Sequence, residues 1–216
     1  MNTDDQSRSI GKVTSVAADR LVVELHRGTD NFTVVGFDDV HYVARLGSYI
    51  VIPVGPDYVV AEVVGLRERD SGSSGLRGEG PTAMDKAASA KYLDLEPVGT
   101  LSGNRSSPFR FGVSTFPSLY ADALYALDAE LDRIFDVSDP DELIPTTPPG
   151  DGNGSDTRLR VLTVGKSVVF AGYDIKVRID DLFGGHSAVL GNTGSGKSCT
   201  VASVVQSLFE RKQERP

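Results

Sequence analysis

Ten consecutive residues, Gly191, Asn192, Thr193, Gly194, Ser195, Gly196, Lys197, Ser198, Cys199 and Thr200, carry the clearest chemistry in this chain. The first eight fill every fixed position of the G-x-x-x-x-G-K-S pattern. Glycines at those positions let the backbone wrap with its N–H groups turned inward, where the positive end of a following helix can hold a β-phosphate. Lys197 would then bridge the β- and γ-phosphates as a point charge, which makes it the candidate catalytic residue. The Ser198 hydroxyl would ligate Mg²⁺, and the amides of Cys199 and Thr200 stand where an α-phosphate rests. ATP and Mg²⁺ are the expected cofactors.

The remaining chemistry-bearing residues read more plainly. Gly165-Lys166-Ser167 repeats the end of the motif, but Arg160 stands where the first glycine belongs and no helical pattern follows, so a strand or turn is expected there. Cys199 has no histidine near it in sequence and reads as a small, inert helix residue. His26, His41 and His186 lack metal-ligand spacing, and His186 reads as a turn residue before the loop strand. Asp180-Asp181 precede that strand rather than ending a later one, which suits solvated turn residues.

Such a loop needs a strand before it and a helix after it. Ala188, Val189 and Leu190 form a short apolar run expected to be a buried parallel strand, and Val201, Val204, Val205, Leu208 and Phe209 mark one face of the helix. Upstream, Ile175, Val177 and Ile179 alternate with Lys176, Arg178 and Asp180, as in a strand with one wet face, before a turn at Gly184-Gly185. A lone strand and helix cannot bury their apolar faces without more of a sheet, so the Val201 to Phe209 stripe is expected to be sticky or disordered unless covered.

The first part of the chain follows a different period. Leu21, Val23 and Leu25, then Ile50, Ile52 and Val54, then Val59, Ala61 and Val63 alternate as half-buried strands do, and Gly55-Pro56-Asp57 reads as a hairpin turn. The polar, glycine- and serine-rich run 67–91 suits a surface loop, and Leu93 and Leu95 resume the alternation. About five short strands without helices between them suggest a small β-barrel. In ADALYALDAELDRIFD, Leu127, Leu131, Ile134 and Phe135 share a helical face, with Asp128 as N-terminal cap or first-turn acid. A Pro-, Gly- and Asp-rich linker follows, with a boundary near Thr157. The expected fold is α+β: a barrel over 1–112, a helix and linker over 113–158, and over 159–216 the start of a RecA-like α/β P-loop ATPase domain.

Composition narrows the setting. The chain has 216 residues, 39% hydrophobic and 24% charged, a formal net charge of -8 and one cysteine. The polar start MNTDDQSRS resembles neither a signal peptide nor a membrane span, which leads us to expect a cytoplasmic protein without membrane association. A charge of -8 argues against a broad duplex-binding surface, because backbone affinity comes from clustered Lys and Arg. Any DNA contact of this chain should be local.

The strand-rich first part, the run FRFGVSTFPSLYADALYALDAELDRIF, and the run VGKSVVFAGYDIKVRIDDLFGGHSAVLGNTGSGKS together resemble the HerA family of DNA translocases, from about Ser9 onward. The resemblance implies a hexameric helicase and ATP hydrolase with a RecA-like core and a barrel similar to that of rotary ATP synthase subunits. It also implies duplex DNA threaded through a central pore. The partner docking on the barrel would be the NurA nuclease or an effector of anti-phage defence. By matching positions, Lys197 and Ser198 take the phosphate and magnesium roles.

No Walker B acidic pair, arginine finger or pore loop follows the loop helix in these residues. The chain is therefore expected to be the N-terminal portion of a longer translocase, inactive as a hydrolase alone and serving as a docking and assembly module. A non-hydrolysing scaffold that recruits an effector, and a conjugation-type P-loop ATPase, are the other readings.

Overall fold

The computed structural model describes residues 5, 7–26, 33–35, 40–42, 45–69, 90–105, 107–137, 161–170 and 172–213. Most of the run 67–91, the linker and the expected boundary near Thr157 fall outside them. The chain forms two compact units, one over 1–134 with 169–171, the other over the remainder.

In the first unit the period-2 runs become strands: β1 (Ser9–Val16), β2 (Leu21–Leu25), β5 (Tyr49–Val54), β6 (Asp57–Arg69), β7 (Ala90–Ser102) and β9 (Asp122–Tyr125). They pair antiparallel in the order β2-β1-β9-β5-β6-β7, and β7 returns to β2, which closes a six-stranded barrel. The short β8 (Arg110–Phe111) adds to β7 outside the ring, and β3 (Thr33–Val35) with β4 (Val40–Tyr42) makes a separate hairpin. Leu21, Val23, Ile52, Ala61, Val63, Leu93 and Leu95 are fully buried inside, so the interior is filled by side chains, as in other small barrels. Gly55-Pro56 makes the β5–β6 turn between the paired Val54 and Asp57; the positive φ of Gly55 followed by a proline fits a type II′ hairpin.

Two features depart from expectation. The barrel has a sixth strand, β9, from a stretch whose sequence reads as the start of a helix. β9 lies between β1 and β5, and without it both would present unpaired edges; that demand overrides the helical period up to Tyr125. The helix α1 (Asp128–Ile134) is therefore shorter than the periodic run, and Phe135 lies beyond it, exposed. Within 67–91, the ends 67–69 and 90–91 belong to β6 and β7, paired to the last residue.

Val51, Val60, Leu101 and Leu124 point away from the interior yet are buried, as are Leu131 and Ile134 of α1. The N–H of Leu127, which precedes α1, donates to Glu130 at 3.0 Å, one half of a capping box. The same carboxylate receives Arg8 at 2.7 and 2.9 Å; Arg8 also donates to Asp5 at 3.1 Å and to the Tyr125 carbonyl at 3.3 Å. Burial works against the Arg8 charge, but the hydrogen bonds and charges of Glu130 and Asp5 outweigh it and raise its pKa above the ordinary value. At the other end of α1, Arg133 donates to the carbonyls of Ser102, Asn104 and Ser107.

In the second unit, β10 (Val161–Lys166) and β11 (Asp174–Arg178) form an antiparallel hairpin around buried Leu162 and Tyr173. The expected strand over Ile175 and Val177 is present, but Ile179 starts the short helix α2 (Ile179–Phe183). α3 (Lys197–Gln213) packs on β10.

Two outcomes are expected in unfolding experiments followed by far-UV circular dichroism. Arg8→Ala should lower stability by about 3 kcal/mol, because it strands the buried Asp5 carboxylate and the part-buried Glu130 carboxylate, whereas Arg8→Met combined with Asp5→Leu and Glu130→Gln should cost less. Asp122 receives Lys12 at 2.8 Å and the Ser9 hydroxyl at 2.7 Å. Partial burial opposes its charge, but these hydrogen bonds and the Lys12 and His26 charges outweigh it and hold its pKa below the ordinary 3.8. Its stabilisation is thus present above pH 3.8 and lost as pH falls through the lower folded value. Asp122→Asn should be less stable than the parent at neutral pH, and the difference should shrink in acid.

Candidate functional site

The ten residues singled out by their pattern lie on one continuous loop and the first turn of α3. Gly194 and Gly196 adopt φ of +82° and +85°, in the left-handed region that a side chain disfavours, which is why glycine stands at both places. Gly191 leaves room for its neighbours in the loop. A Cβ there would lie 2.6 Å from the Ser195 hydroxyl and 3.5 Å from Cγ of Lys197. The Ser195 amide closes a turn onto the Asn192 carbonyl at 3.1 Å.

The Lys197 ammonium donates to the carbonyls of Gly191 at 2.8 Å and Asn192 at 2.6 Å, drawing the start of the loop back over the start of the helix. The Thr200 amide and hydroxyl both bond the Gly196 carbonyl, at 2.9 and 3.1 Å, and so establish the first helical turn. α3 runs 17 residues, long enough for its N-terminal amides and dipole to attract an anion. Ser198 and Cys199 are exposed on that first turn. Chemically the arrangement offers a cation, a hydroxyl and a helix terminus within one short loop.

The expected strand before the loop is absent. Residues 186–191 have no regular structure, and Val189 and Leu190 are 49% and 89% exposed. A parallel strand exists only by pairing with neighbours, and among the described residues none lies beside it. The helix stripe is only partly covered: Val201, Val205 and Phe209 are exposed, while Val204 and Leu208 are half-buried on a helix that packs on β10.

The other residues fall as follows. Lys166 ends β10 and pairs with Asp174 across the hairpin at 2.9 Å, so Gly165-Lys166-Ser167 is strand and turn. His186 sits in an exposed irregular segment. Asp180 and Asp181 are exposed in the first turn of α2 rather than in a turn before a strand. Arg178 was expected on the wet face of the strand, but its ion pairs escaped the sequence reading. It pairs with both Asp181 and Asp136, and hydrogen bonding to Asp181 foremost raises its pKa. The i, i+3 spacing to Asp181 was a legible signal, but Asp136 is too distant in sequence to be found that way. No helix is long and apolar enough to cross a membrane among the described residues.

No curated protein matches the chain. Residues 162–215 match the family model described as the central domain of the helicase HerA. That match covers a quarter of the chain, the quarter that holds the loop, and makes that segment similar to the HerA central domain.

Proposed function

We propose that this chain supplies the barrel and the nucleotide loop of a HerA-like ATP-driven DNA translocase. The observation that carries the reading is a loop with Gly194 and Gly196 left-handed and Lys197 folded onto the Gly191 and Asn192 carbonyls, inside the HerA-like segment. When ATP binds, its β- and γ-phosphate oxygens replace the two carbonyls as partners of the Lys197 ammonium. The amides from Gly194 to Thr200 would hold the phosphates, and Ser198 would hold the accompanying Mg²⁺, whose charge would offset that of the triphosphate. Six copies would form a ring around duplex DNA, and the barrel would dock a nuclease or an anti-phage effector. A cytoplasmic location goes with that role.

A second reading has its own support. Val189 and Leu190 before the loop are exposed and have no strand partner among the described residues. Hydrolysis needs a positioned carboxylate and a charge-neutralising arginine in addition to the loop, whereas binding needs the loop alone. In that case the chain is a scaffold whose nucleotide regulates recruitment of its effector.

Titration calorimetry with ATP and Mg²⁺ on the intact protein tests the loop directly. Lys197→Ala should abolish measurable triphosphate binding and leave partner binding through the barrel intact; lost partner binding with normal ATP affinity would reverse the assignment. The 216-residue chain, at net charge -8, should not retain duplex DNA in a gel shift at physiological salt. Tight, salt-sensitive retention there would contradict the reading of its surface.

A further inference from the structure

The peptide that opens α3 carries a bond that neither the G-x-x-x-x-G-K-S pattern nor helix formation demands. The Gly196 carbonyl accepts two hydrogen bonds from one residue, from the Thr200 amide at 2.9 Å and from the Thr200 hydroxyl at 3.1 Å. The amide bond is the ordinary first bond of a helix. The hydroxyl bond is additional, and a hydroxyl bonded back one turn adds little to helix stability. Thr200 is exposed and so fills no core, and threonine is a poor helix former. Neither packing nor propensity accounts for its place.

What the hydroxyl does follows from the planarity of the peptide. In a trans peptide the C=O and N–H point in opposite directions, so a carbonyl held toward Thr200 turns the Lys197 amide out of the helix start. That amide and those of Ser198 and Cys199 have no acceptor within the helix. On its other side the same peptide is joined to Gly196 at φ +85°, a residue with no Cβ to limit its rotation. A plane hinged at a glycine is held more firmly by two bonds than by one. The Lys197 side chain reaches the Gly191 and Asn192 carbonyls from this peptide, at 2.8 and 2.6 Å, so its orientation bears on both groups that Lys197 brings to the loop.

We propose that Thr200 is a positioning residue of the nucleotide loop: its hydroxyl holds the Gly196 carbonyl and thereby aims the Lys197 amide at the β-phosphate. The proposal rests on the reading of this loop as an ATP site. It gives the Thr200 side chain a role separate from that of its own amide, and one that touches no phosphate. The hydroxyl acts through the Gly196–Lys197 peptide alone.

Titration calorimetry with ATP and Mg²⁺ on the intact protein tests this, with the fold of each variant checked by circular dichroism. Thr200→Val keeps the branched shape, loses the hydroxyl and should bind about fivefold more weakly than the parent. Thr200→Ser keeps the hydroxyl and should bind like the parent. Thr200→Ala raises helix propensity, so a role confined to the helix would leave binding unchanged or tighter, whereas positioning requires it to weaken as in Thr200→Val. Thr200→Ala also carries the test should Thr200→Val misfold. Ser207 makes the same kind of bond to the Ser203 carbonyl at 2.9 Å, further along α3, and Ser207→Ala should leave binding at the parental level. Parental affinity in folded Thr200→Val or Thr200→Ala, or equal weakening by Ser207→Ala, overturns the positioning role while leaving the ATP site in place. No binding by the parent, or unchanged binding in Lys197→Ala, overturns the ATP site and the positioning role with it.

Discussion

A strand edge without a neighbour leaves a row of amides and carbonyls with nothing but water to bond, and this chain handles that constraint in opposite ways in its two units. In the first, six strands close on themselves and no edge of the ring is left. Closure depends on β9, four residues that sit between β1 and β5 and complete the circle. In the second, the run before the phosphate-type loop has no strand neighbour among the described residues, takes no regular form and exposes Val189 and Leu190.

The buried ionic cluster follows from that closure. Once β9 is committed to the barrel wall, α1 starts immediately after it, and Glu130 comes to cap the helix and to face Arg8 at the head of β1. A guanidinium with side-chain exposure of 4% is tolerated because two carboxylates and a backbone carbonyl satisfy it. The cluster therefore makes the strand-to-helix switch near Tyr125 specific, since slippage of the helix would leave charges buried and unpaired.

The loop at 191–200 holds its form by short-range means alone. Two left-handed glycines, a turn closed by Ser195, and a lysine bonded to two carbonyls of its own loop give a defined geometry without a sheet beneath it. That economy explains how a recognisable HerA-like segment can present a formed loop and helix beside an unformed strand.

What the residues by themselves determined was everything carried by local pattern. The alternation of Leu21, Val23, Ile52, Ala61, Val63, Leu93 and Leu95 marked the barrel interior, Gly55-Pro56 marked its turn, and the spacing from Gly191 to Ser198 marked the loop, because each depends on neighbours a few positions away. Only the tertiary structure decided the matters that depend on partners distant in sequence. It drew β9 out of a helical pattern to pair two remote strands, joined Arg8 to Glu130 and Arg178 to Asp136, and gave Ala188 to Leu190 no strand partner among the described residues. A strand's identity lies in the hydrogen bonds its neighbours offer, and apolar sequence alone cannot supply them.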